Sequence, residues 1–250
     1  MNLDRLVTVL EAIAVAGHPL SATELHDVTK LPLPTCYRLL QTLREQHLLD
    51  DPHANNRYVI GERLIRIALL SRTDTDVCTA TEPVLKRAAG EFGEAVFLSR
   101  FRQQGVSIIL VETPQDPNIS YIHPGLGFRP MHACSCSKVI AAFAESSFRE
   151  MILNGRMKAY TDKTYTKREE LENEFARIKK SGFAECVEEI EVGVSSVAAP
   201  VKIDNVEAAF SVGVIGPIRR FTKSHRKRLG KQLINLAGSV SSAIQISSTI

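Results

Sequence analysis

The sequence predicts a protein of two domains, a small and mainly α-helical one at the N-terminus and a larger α+β one after it. Three short segments with helical spacing of their apolar residues come first, and two short strand-like segments follow them. Beyond residue 76, strands and helices follow in an order that favours a largely antiparallel sheet. Hydrophobic residues make up 44% of the 250 residues, enough to bury a core without disulfides or metals.

The first two predicted helices are short and amphipathic. Residues 3–16 carry apolar side chains at positions i, i+3, i+4 and i+7, which places them on one helix face. Ser21 and Glu24 form a capping-box pattern, in which the serine hydroxyl accepts from the glutamate amide and the glutamate reaches back to the serine amide. This pattern starts a second helix, which ends near Thr29.

The third predicted helix has a polar face and precedes a hairpin. Pro34 fits its first turn, because the missing N–H of proline costs nothing there. Its buried stripe consists of four apolar side chains: Cys36, Leu39, Leu40 and Leu43. Two short strands at residues 48–50 and 57–60 flank a turn-rich segment. Helix, helix, turn, helix and hairpin is the order of a winged helix-turn-helix, which we assign to residues 1–60.

This arrangement predicts binding to double-stranded DNA, because a helix fits the major groove. Arginine pairs with guanine, glutamine with adenine, and hydroxyls reach bases or phosphates. The predicted DNA-binding residues are Thr35, Tyr37, Arg38, Gln41 and Thr42 on the third helix and Asn55, Asn56 and Arg57 on the wing. The alternative is the solvated face of a protein-interaction module, which predicts no sequence preference for DNA.

Charge and hydropathy predict an assembly of more than one subunit. Residues 1–60 hold more acidic than basic side chains, although the whole chain has a formal charge of +3. A single such domain is expected to bind DNA weakly, since attraction to phosphate is the main non-specific contribution. Two linked domains gain effective concentration for the second contact. Residues 61–76 form the predicted linker, whose helix is apolar nearly all round and therefore predicts burial against the same helix of a second subunit.

The predicted C-terminal α+β domain spans residues 77–250. Its expected helices are residues 79–92, 135–145, 167–181 and 223–246, and its expected strands are residues 95–101, 106–111, 192–201 and 208–214. A turn at Gln103 and Gln104 joins the first two strands. No secretion signal or membrane-length apolar run is apparent, and the cysteines lack a disulfide framework, so we expect reduced thiols in the cytoplasm.

Several motifs point to one family. Residues 35–43 read TCYRLLQTL, residues 130–133 read PMHA ahead of Lys138, and residues 182–184 read GFA. Glu188 and Glu189, Gly193 and Val194, the VAAPV of residues 197–201 and a late Gly216–Pro217 follow in order. In this order and spacing the chain resembles the IclR family of bacterial regulators over essentially its full length. The resemblance implies a GAF/profilin-like sensing domain and a homodimer or a dimer of dimers.

The effector pocket is expected where residues 131–136 meet the segments of Cys186 and Ser196. Arg129 is predicted to anchor an anion, because a guanidinium matches a carboxylate, with an intradomain ion pair as the alternative. Ser135 and the amides that open its helix add donors. Tyr121 and Met131 would cover an apolar body. The predicted effector-binding residues are Tyr121, Arg129, Met131, Cys134, Ser135, Cys136, Cys186, Ser196 and Gly213.

The sequence therefore favours a ligand-responsive transcriptional regulator of a catabolic operon that binds a small organic acid. Repression and activation of that operon both remain open from the sequence. Cys134, Cys136 and His132 lie close together in the sequence, which leaves open a thiol- or metal-sensing regulator of the same fold. A thiol enzyme built on the GAF-like half is a further alternative. Since no third orienting group or oxyanion motif accompanies these residues, we predict no catalytic residues. Their spacing is not that of a C-x2-C pair, so we predict no metal. We also predict no cofactor.

Overall fold

Two units make up the chain, one ending at Arg72 and the other beginning at Thr73. The structure, a computed structural model, describes residues 3–102, 105–116, 118–144, 146–203 and 206–246. Each unit has its own cluster of buried apolar side chains. The predicted turn at Gln103 and Gln104 lies outside the described residues.

The N-terminal unit is a three-helix arrangement with a small hairpin. Its elements are α1 (Leu3–Ala16), α2 (Ala22–Thr29), α3 (Leu33–Glu45), β1 (Leu49–Asp50), β2 (Val59–Ile60) and α4 (Glu62–Ser71). The strands pair antiparallel, and Leu20 adds an isolated bridge to Tyr58. The expected helices at residues 3–16 and 22–29 are confirmed. The apolar stripe of α3 is buried against α1 and α2, in a core with Val9, Leu25 and Leu49 at its centre.

Local interactions set the turn between α2 and α3. The predicted capping box is present: the Ser21 amide donates to the Glu24 carboxylate over 2.7 Å, and the Glu24 amide donates to the Ser21 hydroxyl over 3.3 Å. Lys30 ends α2 in the left-handed conformation, with φ of 58°. The Thr29 hydroxyl then donates back to the carbonyl of Leu25 over 2.7 Å. These contacts fix the direction in which α3 leaves the turn.

Helix α4 exposes part of its apolar surface. Ile67 is 51% exposed, and Leu64 and Ile65 are half-buried. The side chains of Leu69 and Leu70 lie outside the described residues. The full burial expected from the apolar pattern is therefore not reached by Ile67 within this chain.

The C-terminal unit is a six-stranded sheet with helices on it. Its elements are α5 (Asp74–Phe92), β3 (Ala95–Arg102), β4 (Gly105–Glu112), β5 (Gly127–Phe128), α6 (Ser135–Phe143), α7 (Ser146–Leu153), α8 (Arg168–Ser181), β6 (Ala184–Val187), β7 (Val194–Ile203), β8 (Val206–Pro217) and α9 (Lys223–Ile246). The strand order is β5-β4-β3-β8-β7-β6. The pairings whose register is described are antiparallel, as the sequence predicted.

Central strands of this sheet are buried on both faces. Successive residues of β3 and β7 are buried without alternation, which requires cover from two sides. Helices α5 and α9 contact the sheet and each other, and α6 contacts both β7 and α8. Helix α6 is buried from Ser135 to Ala142 and lies at the centre of the core. This burial holds the first turn of α6 rigidly beside β6 and β7.

The structure corrects several expected boundaries. Helix α5 begins at Asp74 rather than at residue 79, because Thr73 and Asp76 form a capping box that extends the helix. The edge strands β5 and β6 and the short helix α7 are additional elements. Helix α9 spans residues 223–246 as predicted. Among the described residues, no helix has both the length and the apolar character needed to cross a membrane.

Candidate nucleic-acid interface and effector cavity

The polar face of α3 is open to solvent. Tyr37 is 56% exposed, and Arg38 and Gln41 are also exposed. The Gln41 amide donates to the Glu45 carboxylate over 3.1 Å, a bond within one helix face that a base edge could replace. Cys36 lies on the opposite side and is fully buried. Helix α3 thus offers an aromatic, a guanidinium and an amide group on one surface.

Two predicted contact residues on α3 are less accessible. Thr35 and Thr42 are half-buried at the margins of the polar face. The Thr42 hydroxyl donates to the carbonyl of Arg38 over 2.9 Å. Either hydroxyl is therefore better placed for a contact at the edge of the face than at its centre.

The tip of the wing is organised by Asp51. Its carboxylate accepts hydrogen bonds from the amides of Asn55, over 3.1 Å, and of Asn56, over 2.9 Å. Burial works to raise the pKa of Asp51, but these backbone donors outweigh it and lower that pKa. Asn56 adopts a φ of 60°, which asparagine tolerates better than most residues. The side chains of Asn55 and Asn56 remain exposed.

Arg57, a predicted DNA-binding residue of the wing, makes contacts within the N-terminal unit. Its guanidinium donates to the Glu24 carboxylate over 3.0 Å and to the carbonyl of Pro19 over 2.8 Å. Hydrogen bonds from Ser21 and then the contact with Arg57 lower the pKa of Glu24 to about 2. The arginine thus links the wing to the start of α2, and a DNA contact would have to compete with this internal pair.

A cavity of about 120 Å³ lies in the C-terminal unit. Its apolar wall includes Phe97, Ile108 and Ile215 from the sheet. The described lining residues are Phe97, Ile108, Ile122, His123, Pro124, Arg129, Cys134, Cys186, Ile190, Glu191, Val194, Ser195, Ser196 and Ile215. An apolar body with a few polar groups at the rim is the usual composition of a small-molecule site.

The structure brings four of the predicted effector residues into this lining: Arg129, Cys134, Cys186 and Ser196. Ser135 and Cys136 lie directly behind them. The hydroxyls of Ser135 and Ser196 are 2.7 Å apart, and the sulfurs of Cys134 and Cys136 are 3.2 Å apart. The cavity therefore forms where α6 begins and where β6 and β7 run past it.

Three predicted effector residues are placed elsewhere. Tyr121 and Met131 are not among the described residues of the lining; Tyr121 is 41% exposed, and Met131 packs against the core. Gly213 lies on β8 under the ring of Phe97, where a Cβ atom would stand 2.3 Å from Cζ of that ring. Its small size makes room for Phe97, which forms the wall in its place.

Arg129 is held by backbone contacts. Its amide donates to the carbonyl of Val106 over 2.9 Å, and Nη2 donates to the carbonyls of Pro124 and Gly125. Its Nε is buried and has no hydrogen-bond partner among the described residues. A buried donor without an acceptor is costly, so an oxygen atom placed beside this Nε would be stabilised.

His123, Glu191 and Ser195 are polar lining residues that the sequence prediction did not include. His123 Nδ1 accepts a hydrogen bond from the amide of Gly125 over 3.0 Å, which leaves Nε2 to carry the ring proton. The position of Ser195 beside Ser196 was a usable signal. His123 and Glu191 lie in connecting segments, whose approach to the cavity has no periodic signature.

A buried ion network supports the cavity from behind. Lys138 of α6 is fully buried, and its Nζ lies 2.6 Å from the Glu189 carboxylate and 3.6 Å from that of Glu174. Burial raises the pKa of Glu189 to about 7, against the opposing effect of Lys138. Burial also raises the pKa of Cys186 to about 12. Among the described residues, no group of three or more His, Cys, Asp or Glu side chains is arranged to hold a metal ion.

Comparison with known proteins agrees with both units. The model of the IclR helix-turn-helix domain matches residues 2–51, and that of the C-terminal domain of the bacterial transcriptional regulator IclR matches residues 69–242. The transcriptional repressor IclR of Escherichia coli is 25% identical over 244 residues, covering 97% of this chain and 89% of the relative. The glycerol operon regulatory protein of Streptomyces griseus is 28% identical over 220 residues, covering 88% and 85%.

Solved structures share the fold. An IclR regulator from a Silicibacter species aligns with a TM-score of 0.66 and 20% identity, covering 98% of this chain and 96% of the other. An IclR homologue from Microbacterium hydrocarbonoxydans, complexed with 4-hydroxybenzoate, aligns with a TM-score of 0.60 and 19% identity, covering 98% and 99%. Helix-turn-helix unit and cavity-bearing unit together define a DNA-binding transcriptional regulator. The chain belongs to the IclR family of bacterial transcriptional regulators.

Proposed function

We propose that this regulator represses a catabolic operon and is controlled by a small monocarboxylate that binds the cavity of the C-terminal unit. The observation that carries the proposal is Nε of Arg129, a buried donor that has no partner in the described part of the chain and belongs to a residue lining a largely apolar cavity. A carboxylate would supply the missing acceptor, and charge-assisted hydrogen bonds of this kind are the stronger ones. Glu191 and Ser196, which also line the cavity, would accept from a hydroxyl group on the ligand body.

The cavity volume limits the size of the ligand. A cavity of about 150 Å³ is known to hold benzene, so about 120 Å³ suits a short aliphatic acid or, with small side-chain shifts, a single aromatic ring. The 4-hydroxybenzoate bound by the Microbacterium homologue belongs to this class. Benzoate, 4-hydroxybenzoate and short aliphatic acids are therefore the ligands to test first.

The ligand proposal is tested by thermal shift on the full chain. A monocarboxylate is expected to raise the melting temperature, since a ligand stabilises the state that it binds. Arg129→Ala should weaken binding roughly ten- to a hundred-fold, because it removes a charge-assisted bond worth about 1.5–3 kcal/mol. Arg156→Ala, which removes an exposed arginine of the same unit, is the matched control. An unchanged ligand response in Arg129→Ala would exclude the proposed anchor.

We propose that α3 reads the operator in the major groove. Arg38 and Gln41 contact the base edges, and Tyr37, Thr35 and Thr42 lie at the margins of this pair. From the wing, Asn55 and Asn56 contact the sugar-phosphate backbone of the DNA. In a DNA selection with the full chain, Arg38→Ala should cost about 1–3 kcal/mol and relax the preference at one position. Arg5→Ala on α1 removes the same charge and should leave the selected sequence intact. A chain that selects no sequence would instead be an interaction module.

Arg57 should behave differently from Arg38. Because its guanidinium already binds Glu24 and Pro19, Arg57→Ala is expected to loosen the N-terminal unit more than it alters base preference. Circular dichroism melting and the DNA selection, measured on the same variant, separate the two effects. If Arg57→Ala relaxes the sequence preference and leaves the melting temperature unchanged, Arg57 contacts the DNA instead of stabilising the N-terminal unit.

We propose a homodimer or a dimer of dimers. Residues 1–60 hold more acidic than basic side chains, so tight DNA binding requires two linked DNA-binding units. The exposed side chain of Ile67 on α4 offers apolar surface for their association. Light scattering on the full chain measures the assembly, and Ile67→Glu should shift it towards the monomer. A monomer that binds its operator tightly would contradict this. Since a repressor works where the DNA is, we assign it to the cytoplasm.

A further inference from the structure

Two cysteines at the start of α6 are in direct contact. Cys134 is the N-cap residue of α6, and Cys136 lies in the first turn of that helix. Their sulfurs are 3.2 Å apart, and both side chains are buried, Cys134 to 6% and Cys136 to 0% exposure. A disulfide requires a sulfur separation of about 2.05 Å, so an approach of about 1.2 Å would join them.

The surroundings favour a thiolate on this pair. Burial works to raise the pKa of Cys136, but hydrogen bonds from Cys134, Ser137 and Ser99 and the charge of Arg129 outweigh it and lower that pKa. The hydrogen bond to Cys136 and burial raise the pKa of Cys134 well above its usual value. Two thiols in contact titrate as a pair, and once the first proton has left, the remaining one is held between the two sulfurs along the short S–H···S contact.

Access to the pair is through the effector cavity. Cys134 lines the cavity, and Cys136 lies behind it. Cys186 lines it as well, but burial raises the pKa of that thiol to about 12, which leaves it unreactive. A small molecule in the cavity therefore meets one activated sulfur pair.

We propose that Cys134 and Cys136 form a modification site, a dithiol that a small hydroperoxide entering the cavity oxidises to an intramolecular disulfide. The chemistry is independent of the proposed carboxylate, whereas its effect on ligand binding rests on the proposed function. A disulfide would draw Cys134 away from the cavity wall and towards the helix, next to the paired hydroxyls of Ser135 and Ser196. Oxidation should thus weaken carboxylate binding.

The reaction is a balanced two-electron exchange. The Cys136 sulfur, as thiolate, attacks the terminal oxygen of the hydroperoxide, the O–O bond breaks, and the leaving alkoxide takes the proton given up by that thiol. The Cys134 sulfur then attacks the resulting sulfenic acid and gives up its proton, the S–S bond forms, and hydroxide leaves as water with that proton. Two thiols are oxidised, and one hydroperoxide is reduced to an alcohol and water.

The test uses the full, reduced chain and hydrogen peroxide or cumene hydroperoxide. Arg129 precedes Pro130, so trypsin leaves residues 103–138 as one peptide whose cysteines are Cys134 and Cys136. The mass of this peptide is expected to fall by two hydrogen atoms. The chain has five free thiols, and oxidation should consume two of them, a loss that dithiothreitol reverses. Cys134→Ser and Cys136→Ser should each prevent the internal disulfide, and Cys78→Ser, at a half-buried thiol elsewhere in the unit, should leave it unchanged.

The outcomes distinguish this site from the carboxylate proposal. If peroxide modifies Cys78 or Cys186 and leaves the peptide of residues 103–138 reduced, the dithiol proposal is overturned. The wild-type mass measurement decides this even if a serine variant fails to fold. With 4-hydroxybenzoate as probe, the thermal shift should disappear on oxidation and return on reduction. If the disulfide forms and the thermal shift is unchanged, the proposed effect of oxidation on ligand binding is overturned. If the reduced chain shows no thermal shift with 4-hydroxybenzoate, the carboxylate proposal is contradicted, and the dithiol proposal is unaffected.

Discussion

Lys138 and Glu189 form a bidentate ion pair inside the C-terminal unit, although 51 residues separate them in the sequence. The lysine Nζ lies 2.6 and 2.7 Å from the two carboxylate oxygens, and the Tyr165 ring stands 5.1 Å from the same nitrogen. The Thr164 hydroxyl donates to the carbonyl of Glu189 over 2.6 Å. Helix α6 and the segment after β6 are thereby joined behind the cavity, so the pair positions both walls.

Removing Lys138 should be strongly destabilising. Lys138→Met leaves the Glu189 and Glu174 carboxylates buried without their shared cation, and breaking such a pair typically costs about 3–5 kcal/mol. Glu189→Gln should cost less, because Lys138 keeps Glu174 and the amide retains an acceptor. Urea unfolding of each variant gives the two free energies. Equal costs would show that Glu174 does not share the charge.

Acid should loosen the start of α2 through Glu24. Its pKa is about 2 in the folded chain and near 4.5 in the unfolded chain, so the unfolded state binds the extra proton between these values. The contribution is therefore complete above pH 4.5 and is lost as the pH falls towards 2. Hydrogen exchange of α2, corrected for the intrinsic pH dependence, should show this loss in the wild type. In Glu24→Gln the exchange protection of α2 should not change with pH in the same range. If the pH dependence is retained in this variant, the effect belongs to another group.

Two glycines should respond to alanine in opposite directions. At Gly213 a Cβ would lie 2.3 Å from Cζ of Phe97 and 2.8 Å from the carbonyl oxygen of Val197, and overpacking of this kind costs about 1–3 kcal/mol. At Gly90, inside α5, a Cβ meets nothing within 4 Å, so Gly90→Ala should stabilise by about 0.5–1 kcal/mol. Thermal melting of both variants provides the comparison. A stable Gly213→Ala would mean that Phe97 moves freely.

Substitution of Arg220 is expected to lower the stability of the chain, whereas substitution of Arg219 is not. Arg220 forms a bidentate pair with the buried Glu94 carboxylate and donates to the carbonyl of Ser120 over 2.8 Å. Arg220→Ala leaves a buried acceptor unsatisfied, at a cost of about 1–3 kcal/mol. Arg219→Ala, at the exposed neighbouring position, should change the free energy of unfolding by less than about 0.5 kcal/mol. Denaturant unfolding separates the two, and similar costs would contradict the assigned role of Glu94.

Local signals located most elements of the fold. Apolar spacing predicted α1, and the capping pattern at Ser21 predicted the start of α2, because both depend on residues a few positions apart. Thr73 and Asp76 form a capping box of the same kind at the start of α5. Because the predicted linker extends to residue 76, the predicted helix begins at residue 79 instead of at Asp74. Strand β5 has two residues and carries no measurable periodicity.

The sequence by itself determined the order of most helices and strands and the polar face of α3, since these follow from periodicity and capping along a continuous stretch of chain. Only the tertiary structure decided that Lys138 is buried against Glu189, that Arg57 binds Glu24, and that Phe97 rather than Tyr121 walls the cavity. Each of these contacts joins residues far apart in the chain, and their energy depends on burial and distance, which no local pattern encodes.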